Sequence, residues 1–168
     1  MQIPVRVEPS GENPAEVRYR WDVDTDILSA AVEDDGAGGT DASTSAVEVA
    51  GRDGSWLILG VREGQLEGVE VAVWPTVRRR SDLSPPSDVQ EARVFFAGGA
   101  PGRVAPLACD TLVDAEADRS ERTIHFRLGT RRETRTVRVA RDILIDVDQR
   151  DRMAGVWLLG VPPHPATP

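Results

Sequence analysis

The chain has 168 residues, and its twenty basic side chains are all arginine, set against 28 acids for a formal charge of −8. A single cysteine excludes an internal disulfide and a cysteine-based zinc site, and no run approaches the ~20 apolar residues that span a bilayer. The acidic balance argues against a general binder of nucleic acid or of an anionic membrane, because phosphate contacts dominate such affinity.

Met1-Gln2-Ile3-Pro4-Val5 lacks the basic region and apolar core of a signal peptide, so a cytoplasmic location is expected. Charge is uneven: residues 1–90 hold eight arginines and seventeen acids, and residues 91–168 hold twelve and eleven. Such asymmetry hints at two parts.

Helical periodicity is nearly absent. Alternating apolar and polar residues recur instead, separated by Gly, Pro, Asp and Ser clusters, which is the signature of strands and turns. In chain order, strands are predicted near 4–8, 16–21, 27–33, 45–50, 55–61 and 67–74, then near 92–97, 111–116, 122–128, 134–140, 142–148 and 154–160. Arg52-Asp53-Gly54-Ser55 and Arg62-Glu63-Gly64-Gln65 read as hairpin turns, since Gly takes the positive φ such turns need. A short helix is expected around Ser87–Ala92, after Pro85-Pro86 and with Asp88 in its first turn. The Gly/Asp/Ser/Thr stretch Asp34–Ser45 is expected to be a loop.

An internal repeat is the strongest feature. Asp22–Val32 aligns without gaps on Asp118–Leu128, so that Leu28, Ala30 and Val32 fall opposite Ile124, Phe126 and Leu128. Ala46–Ala50 then matches Thr136–Ala140, Trp56–Ile58 matches Ile143–Ile145, and Leu66–Val69 matches Met153–Val156. The matched positions are inward-facing apolar residues plus one glycine. The expected fold is therefore all-β: two repeated antiparallel meanders packed as one pseudo-twofold sandwich or barrel-like body. Residues 1–75 form the first repeat, 76–90 a linker, 91–161 the second repeat and 162–168 a Pro-rich tail.

The run Ala117-Asp118, Thr123–Leu128, Thr134–Val137, Ile143–Asp148 and Met153–Leu159 resembles a family of small uncharacterised bacterial β-meander domains. Its members are about one copy long, with an Asp-led hairpin and a V-D-x-D-x-x-G-x-x-x-G-I-E type ending. The resemblance covers 117–160 and, more weakly, 21–72. The aromatic-Asp start is Trp21-Asp22 in the first copy but Ala117-Asp118 in the second, and Asp151 replaces the glycine that is Gly64 in the first. Single-copy members look like partners of neighbouring toxin-like proteins. The resemblance thus implies binding rather than chemistry, with no catalytic residue to carry over.

Asp22-Val23-Asp24-Thr25-Asp26 with Glu33 has the spacing of a Ca²⁺ loop, which needs several carboxylate oxygens from a tight turn. Ile27 occupies the position where that turn needs Gly, and no helices flank it, so an Asx-stabilised hairpin turn is expected and no metal. Asp146 and Asp148 share the face opposite Val147 near a turn and are expected to be solvated. His125, on the polar face of its strand, is expected at the surface or facing a partner, and Cys109 to behave as a small hydrophobe. Gly98–Gly102 is read as a connecting loop, too Pro-broken to cradle phosphate. No nucleophile elbow, phosphate loop or metal-spaced His/Cys set is present, so no enzyme activity and no cofactor are expected.

Arginine is the better lead. Eight arginines lie between Arg119 and Arg141, and intramolecular pairing with acids of the first half such as Asp24, Asp26 and Glu48 is the favoured role. The sharper alternative is a docking site, with Arg127, Arg131, Arg132, Arg138 and Trp157 as the partner-binding residues. Trp56 is expected in the core. Trp157 and Leu159 are expected to form an apolar patch open to a partner or a second subunit. Nucleic acid ranks below protein, because few aromatics are placed to stack bases. The expected function is a non-enzymatic bacterial module that binds a protein partner, as an antitoxin or accessory subunit of a neighbouring gene product. A homodimer is the variant of this reading, and a β protein binding a small molecule or metal ion is the alternative.

Overall fold

Strict alternation dictates most of the strands. In Trp56–Arg62, residues Leu57, Leu59 and Val61 are buried while their neighbours are not, which is the two-residue period of a half-buried strand. A computed structural model describes residues 3–33, 44–96 and 109–165. Among these there is no helix, and hence none long and apolar enough to cross a membrane.

Among the described residues fourteen strands follow in chain order: β1 (Val5–Pro9), β2 (Val17–Asp22), β3 (Ile27–Val32), β4 (Thr44–Gly51), β5 (Trp56–Arg62), β6 (Gln65–Val73), β7 (Val77–Arg79), β8 (Gln90–Phe96), β9 (Cys109–Thr111), β10 (Val113–Ala117), β11 (Ile124–Leu128), β12 (Thr134–Ala140), β13 (Ile143–Asp148) and β14 (Met153–Leu158). The Glu63-Gly64 turn between β5 and β6 has φ of 50° and 81°, the doubly positive pair of a two-residue hairpin loop. The expected helix over Ser87–Ala92 does not form. Gln90–Phe96 is a strand, because Ala92 and Val94 point into the core at a period of two. The region expected as linker contains β7, and the strand expected over 111–116 breaks at exposed Leu112 into β9 and β10. The loop expected over 34–45 lies mostly outside the described residues, as do Gly98–Gly102 and the side chain of Cys109.

Pairing runs β2-β3-β6-β5-β4 in the first half, and β9 joins β4 in parallel. In the second half it runs β10-β11-β14-β13-β12, and β8 joins β12 in parallel. Residue pairs correspond too: Leu28 faces Val71 and Ala30 faces Val69, as Ile124 faces Leu158 and Phe126 faces Val156. One expected match is off by a residue. Leu57, not Trp56, occupies the place of Ile143, since Leu57 faces Val71 as Ile143 faces Leu158. Trp56 is accordingly 38% exposed rather than in the core.

β8 links the halves, pairing with β12 through Gln90 and Glu91 and with β6 through Phe95. All the strands thereby belong to one sheet, which curls into a half-barrel. Leu28, Leu57, Leu59 and Val71 of one half and Phe126, Ile143, Ile145 and Leu158 of the other lie in a single core cluster. Burying each such side chain is worth about 1.5–3 kcal/mol. Backbone bonds cross between halves at Met153 N to Ile3 O (2.8 Å), Val5 N to Asp151 O (2.8 Å) and Arg141 N to Ala15 O (2.8 Å). The Tyr19 hydroxyl donates to Leu159 O at 2.6 Å. Burial, aided by the charge of Asp142, pushes its pKa up, so it remains a donor.

The glycine matched between the two halves has a steric reason. A Cβ on Gly68 would lie 2.9 Å from Ala30 O, and one on Gly155 would lie 2.9 Å from Phe126 O. Gly68→Ala is expected to cost about 1–3 kcal/mol, read as a lowered urea midpoint. Gly11→Ala, with nothing within 4 Å, should leave the midpoint unchanged.

Candidate functional site

Register aligns side chains of one sheet face in rows across paired strands. On the face of the second half turned from the core, one row is Asp114, Arg127, Gly155, Asp146 and Thr136. The adjacent row is Glu116, His125, Trp157, Leu144 and Arg138, and it continues to Arg78 at one end and Glu91 at the other. The corresponding rows of the first half are Arg18, Ala31, Gly68, Gly60, Ala46 and Arg20, Ser29, Glu70, Ile58, Glu48. The constellation of His, Asp, Trp and Thr therefore belongs to the second half alone.

Gly155 makes that constellation fit. His125 and Asp146 lie on β11 and β13, with β14 between them. His125 Nε2 nevertheless lies 2.7 Å from Asp146 Oδ2, because the intervening residue has no side chain. A Cβ there would sit 2.5 Å from the carboxylate oxygen and 3.0 Å from the imidazole nitrogen. Asp146 is 6% exposed, and its other oxygen accepts from Thr136 Oγ1 (2.6 Å) and Trp157 Nε1 (3.2 Å). A buried carboxylate demands such saturation. The His125 and Trp157 rings stack with centroids 4.0 Å apart and planes inclined by 17°.

The expectation of solvated aspartates is thus overturned for both. Asp148 is 4% exposed, and it accepts from Arg150 N (2.9 Å) and Arg152 N (3.0 Å) on Oδ1 and from Arg132 Nε (2.7 Å) and Arg152 Nε (2.9 Å) on Oδ2. Burial works to raise its pKa, but these donors outweigh it and hold the carboxyl down at about 2. His125, expected at the surface or facing a partner, is half-buried on the outer face and lines the cleft described below. Trp157 is 6% exposed, so the expected apolar patch with Leu159 does not form; the ring is covered by its stacking on His125.

Over this floor opens a cleft of about 280 Å³, walled on one side by Arg80, Asp82, Leu83 and Ser84 and lined by Glu116, His125, Arg127, Thr130, Arg131, Arg132 and Trp157, among others. Of the residues picked from sequence, Arg127, Arg131, Arg132 and Trp157 meet here. Arg138 does not line it; it lies beyond Leu144, 4.0 Å from Glu91. Arg132 is committed to the fold, since its guanidinium also donates to Leu128 O (2.9 Å), Thr130 O (3.0 Å) and Met153 O (3.1 Å). Arg80 pairs with Glu116 (3.0 Å) and Asp82 (3.2 Å), and Arg127 pairs with Asp114. Arg131 is exposed and makes no hydrogen bond or ion pair to a described residue.

The favoured pairing of these arginines with acids of the first half is mostly absent. Arg127, Arg132 and Arg135 use Asp114, Asp148 and Asp151, while Arg141 with Glu16 (2.5 Å) crosses to the first half. Cross-strand and turn neighbours are already in reach, so pairing stays local. Asp22 Oδ1 accepts from Asp24 N (3.0 Å) in the β2–β3 turn, and Asp26 Oδ1 lies 2.9 Å from His164 Nε2. Among the described residues no three or more His, Cys, Asp or Glu side chains are grouped to hold a metal.

Chemically, the cleft offers guanidinium donors above an imidazole and an indole, a setting for carboxylate or phosphate oxygens. The segment 80–84 and Thr136 had no sequence signal as site residues, and Asp146 is read from sequence as a solvated carboxylate. The chain matches no family model and no curated protein.

The Asp148 carboxyl, about 2 when folded against 3.8 ordinarily, binds its proton less readily in the native state. Its stabilisation is full above about pH 4 and is lost as pH falls through about 2. Asp148→Asn should cost about 2–4 kcal/mol at pH 7 and flatten this acid limb in urea titrations from pH 7 to 2.

Proposed function

We propose that this chain is a non-enzymatic module that binds a protein partner, seating an acidic segment of that partner in the cleft of its second half. The observation that carries the reading is Arg131, exposed at the rim beside Arg127 and lacking an acidic partner among the described residues. Charge complementarity of this kind governs specificity and encounter more than raw affinity. A further support is that His125 hydrogen-bonds to Asp146 and, among the described residues, to no hydroxyl or thiol, so the pair shapes the floor of the cleft.

We also infer a tandem duplication of a small bacterial β-meander domain, in keeping with the resemblance of residues 117–160. The matching strand order of the two halves and the shared glycine contact support it. The two halves differ on their outer faces: small residues predominate at the centre of the first, and the second carries the cleft. Antitoxins and accessory subunits of neighbouring gene products are the class of role such a module fills in the cytoplasm.

Calorimetric titration with an octa-glutamate peptide at low salt tests the reading. Binding should weaken about fivefold in Arg131→Ala and fade towards 0.5 M salt, with Arg20→Ala as an unaffected control. No heat, or equal losses in the two variants, would overturn it. Inorganic phosphate that bound more tightly than the peptide would move the assignment to a small anionic ligand.

A further inference from the structure

In the second half the sheet runs one strand beyond β10. β7 lies along β10 in parallel, with Val77 opposite Ala115 and Arg79 opposite Ala117, and Arg80 N donates to Ala117 O at 2.8 Å. β2 holds the place of β10 in the first half, since Tyr19 lies opposite Ala30 as Ala115 lies opposite Phe126. Glu33 N donates to Glu16 O at 2.8 Å, which fixes the alternation of the β2–β3 ladder. Arg18 and Arg20 therefore bond to β3, and the backbone N–H and C=O groups of Tyr19 and Trp21 point away from it. Among the described residues no strand takes them, because β2 pairs with β3 alone. The closing stretch of the chain is a poor filler. Counted from the matched residues Val71 and Leu158, Pro165 stands where β7 has Arg78, and proline has no N–H to give. That stretch is held by a side chain instead, with Trp21 Nε1 donating to Pro162 O at 2.9 Å.

Charge says what kind of strand fits this edge. On β10, Glu116 takes Arg78 of β7 (3.4 Å) and Arg80 just after it (3.0 Å). Arg20 stands at the place of Glu116, and Arg18 at that of Asp114, so the signs are inverted. Arg20 is exposed and makes no ion pair with a described residue, and Arg18 has the solvated Glu33 at 3.2 Å. We propose that the outer edge of β2 is a strand-addition site for an extended, acid-bearing segment of a partner protein, which pairs with it in parallel as β7 pairs with β10. Main-chain bonds to Tyr19 and Trp21 give affinity, and an acid opposite Arg20 gives choice of partner. A second copy fits badly, since β2 against β2 sets arginine against arginine. The edge belongs to the first half and is separate from the cleft of the second.

The test adds the peptide acetyl-Thr-Val-Glu-Val-Glu-Val-Thr-amide to the full chain and follows amide hydrogen exchange. The Tyr19 and Trp21 amides should exchange fast in the chain alone, and millimolar peptide should slow both at least about tenfold. N-methylation of the two glutamates, which removes the donors that stand in for Arg80 N–H, should abolish this protection. A peptide with lysine in place of glutamate should bind about tenfold more weakly, and Arg20→Glu should reverse the order of the two peptides. No protection at millimolar peptide, or equal protection by the N-methylated or the lysine peptide, overturns the proposal. Protection in the chain alone also overturns it: at every concentration it means an edge already covered, and if it grows with protein concentration it assigns the edge to a second copy. Arg131→Ala should leave the peptide's effect unchanged. Octa-glutamate should not protect these amides, since like charges at every position disfavour a strand, so the cleft and the edge fail separately.

Discussion

Where β14 passes β11, there is room for a hydrogen atom and nothing larger on residue 155. Phe126 O lies within 3 Å of where a Cβ would be, just as Ala30 O does at residue 68. In the first half this close passage serves the sheet alone. In the second half the space above Gly155 is filled by a carboxylate and an imidazole from strands on either side, and the rest of the outer face is arranged around them. Thr136 and Trp157 complete the shell of Asp146, and Trp157 stacks on His125, which fixes the floor over which the arginines stand.

The two halves share a pairing order and differ in what their outer faces carry. Ala31, Ser29, Gly60 and Glu70 in one correspond to Arg127, His125, Asp146 and Trp157 in the other. A net charge of −8 says little about such a face, because charges pair with their nearest cross-strand and turn neighbours. Arg127 and Arg132 are neutralised by acids of their own half, and Arg132 is spent on closing the Asp148 turn. Arg131, on the connecting turn, is beyond the reach of those acids.

The halves are held together by polar contacts as well as by their common core. Tyr19 and Trp21 project from one face of β2 and take carbonyls from residues well over a hundred positions away. The aromatic side of the first half therefore meets the second through its proline-rich closing stretch, while β1 and β8 bind the hairpin and strand edges. Exposed arginines at positions 18 and 20 of β2 alternate with these aromatics, so one strand is both a solvated edge and a clasp.

Alternation alone made nearly every strand legible, and turn chemistry placed the Glu63-Gly64 hairpin, because both signals act over a few residues. The matched apolar positions of the two halves are legible for the same reason, except at β5, where Trp56 and Leu57 are both apolar and sequence cannot say which faces inward. β13 is the exception: Ile143–Asp148 is buried throughout, and Asp146 and Asp148 look like solvated carboxylates until their donors arrive from β12, β14, the β11–β12 loop and the turn after β13. Trp157 was misjudged in the same way, since its cover is a histidine more than thirty residues earlier. By itself the sequence determined the class, the strands and the turns, which follow from local backbone preference and period. Only the tertiary structure decided which faces are covered, which charges are paired and which arginine is left over, because those depend on segments far apart in the chain arriving at the same place.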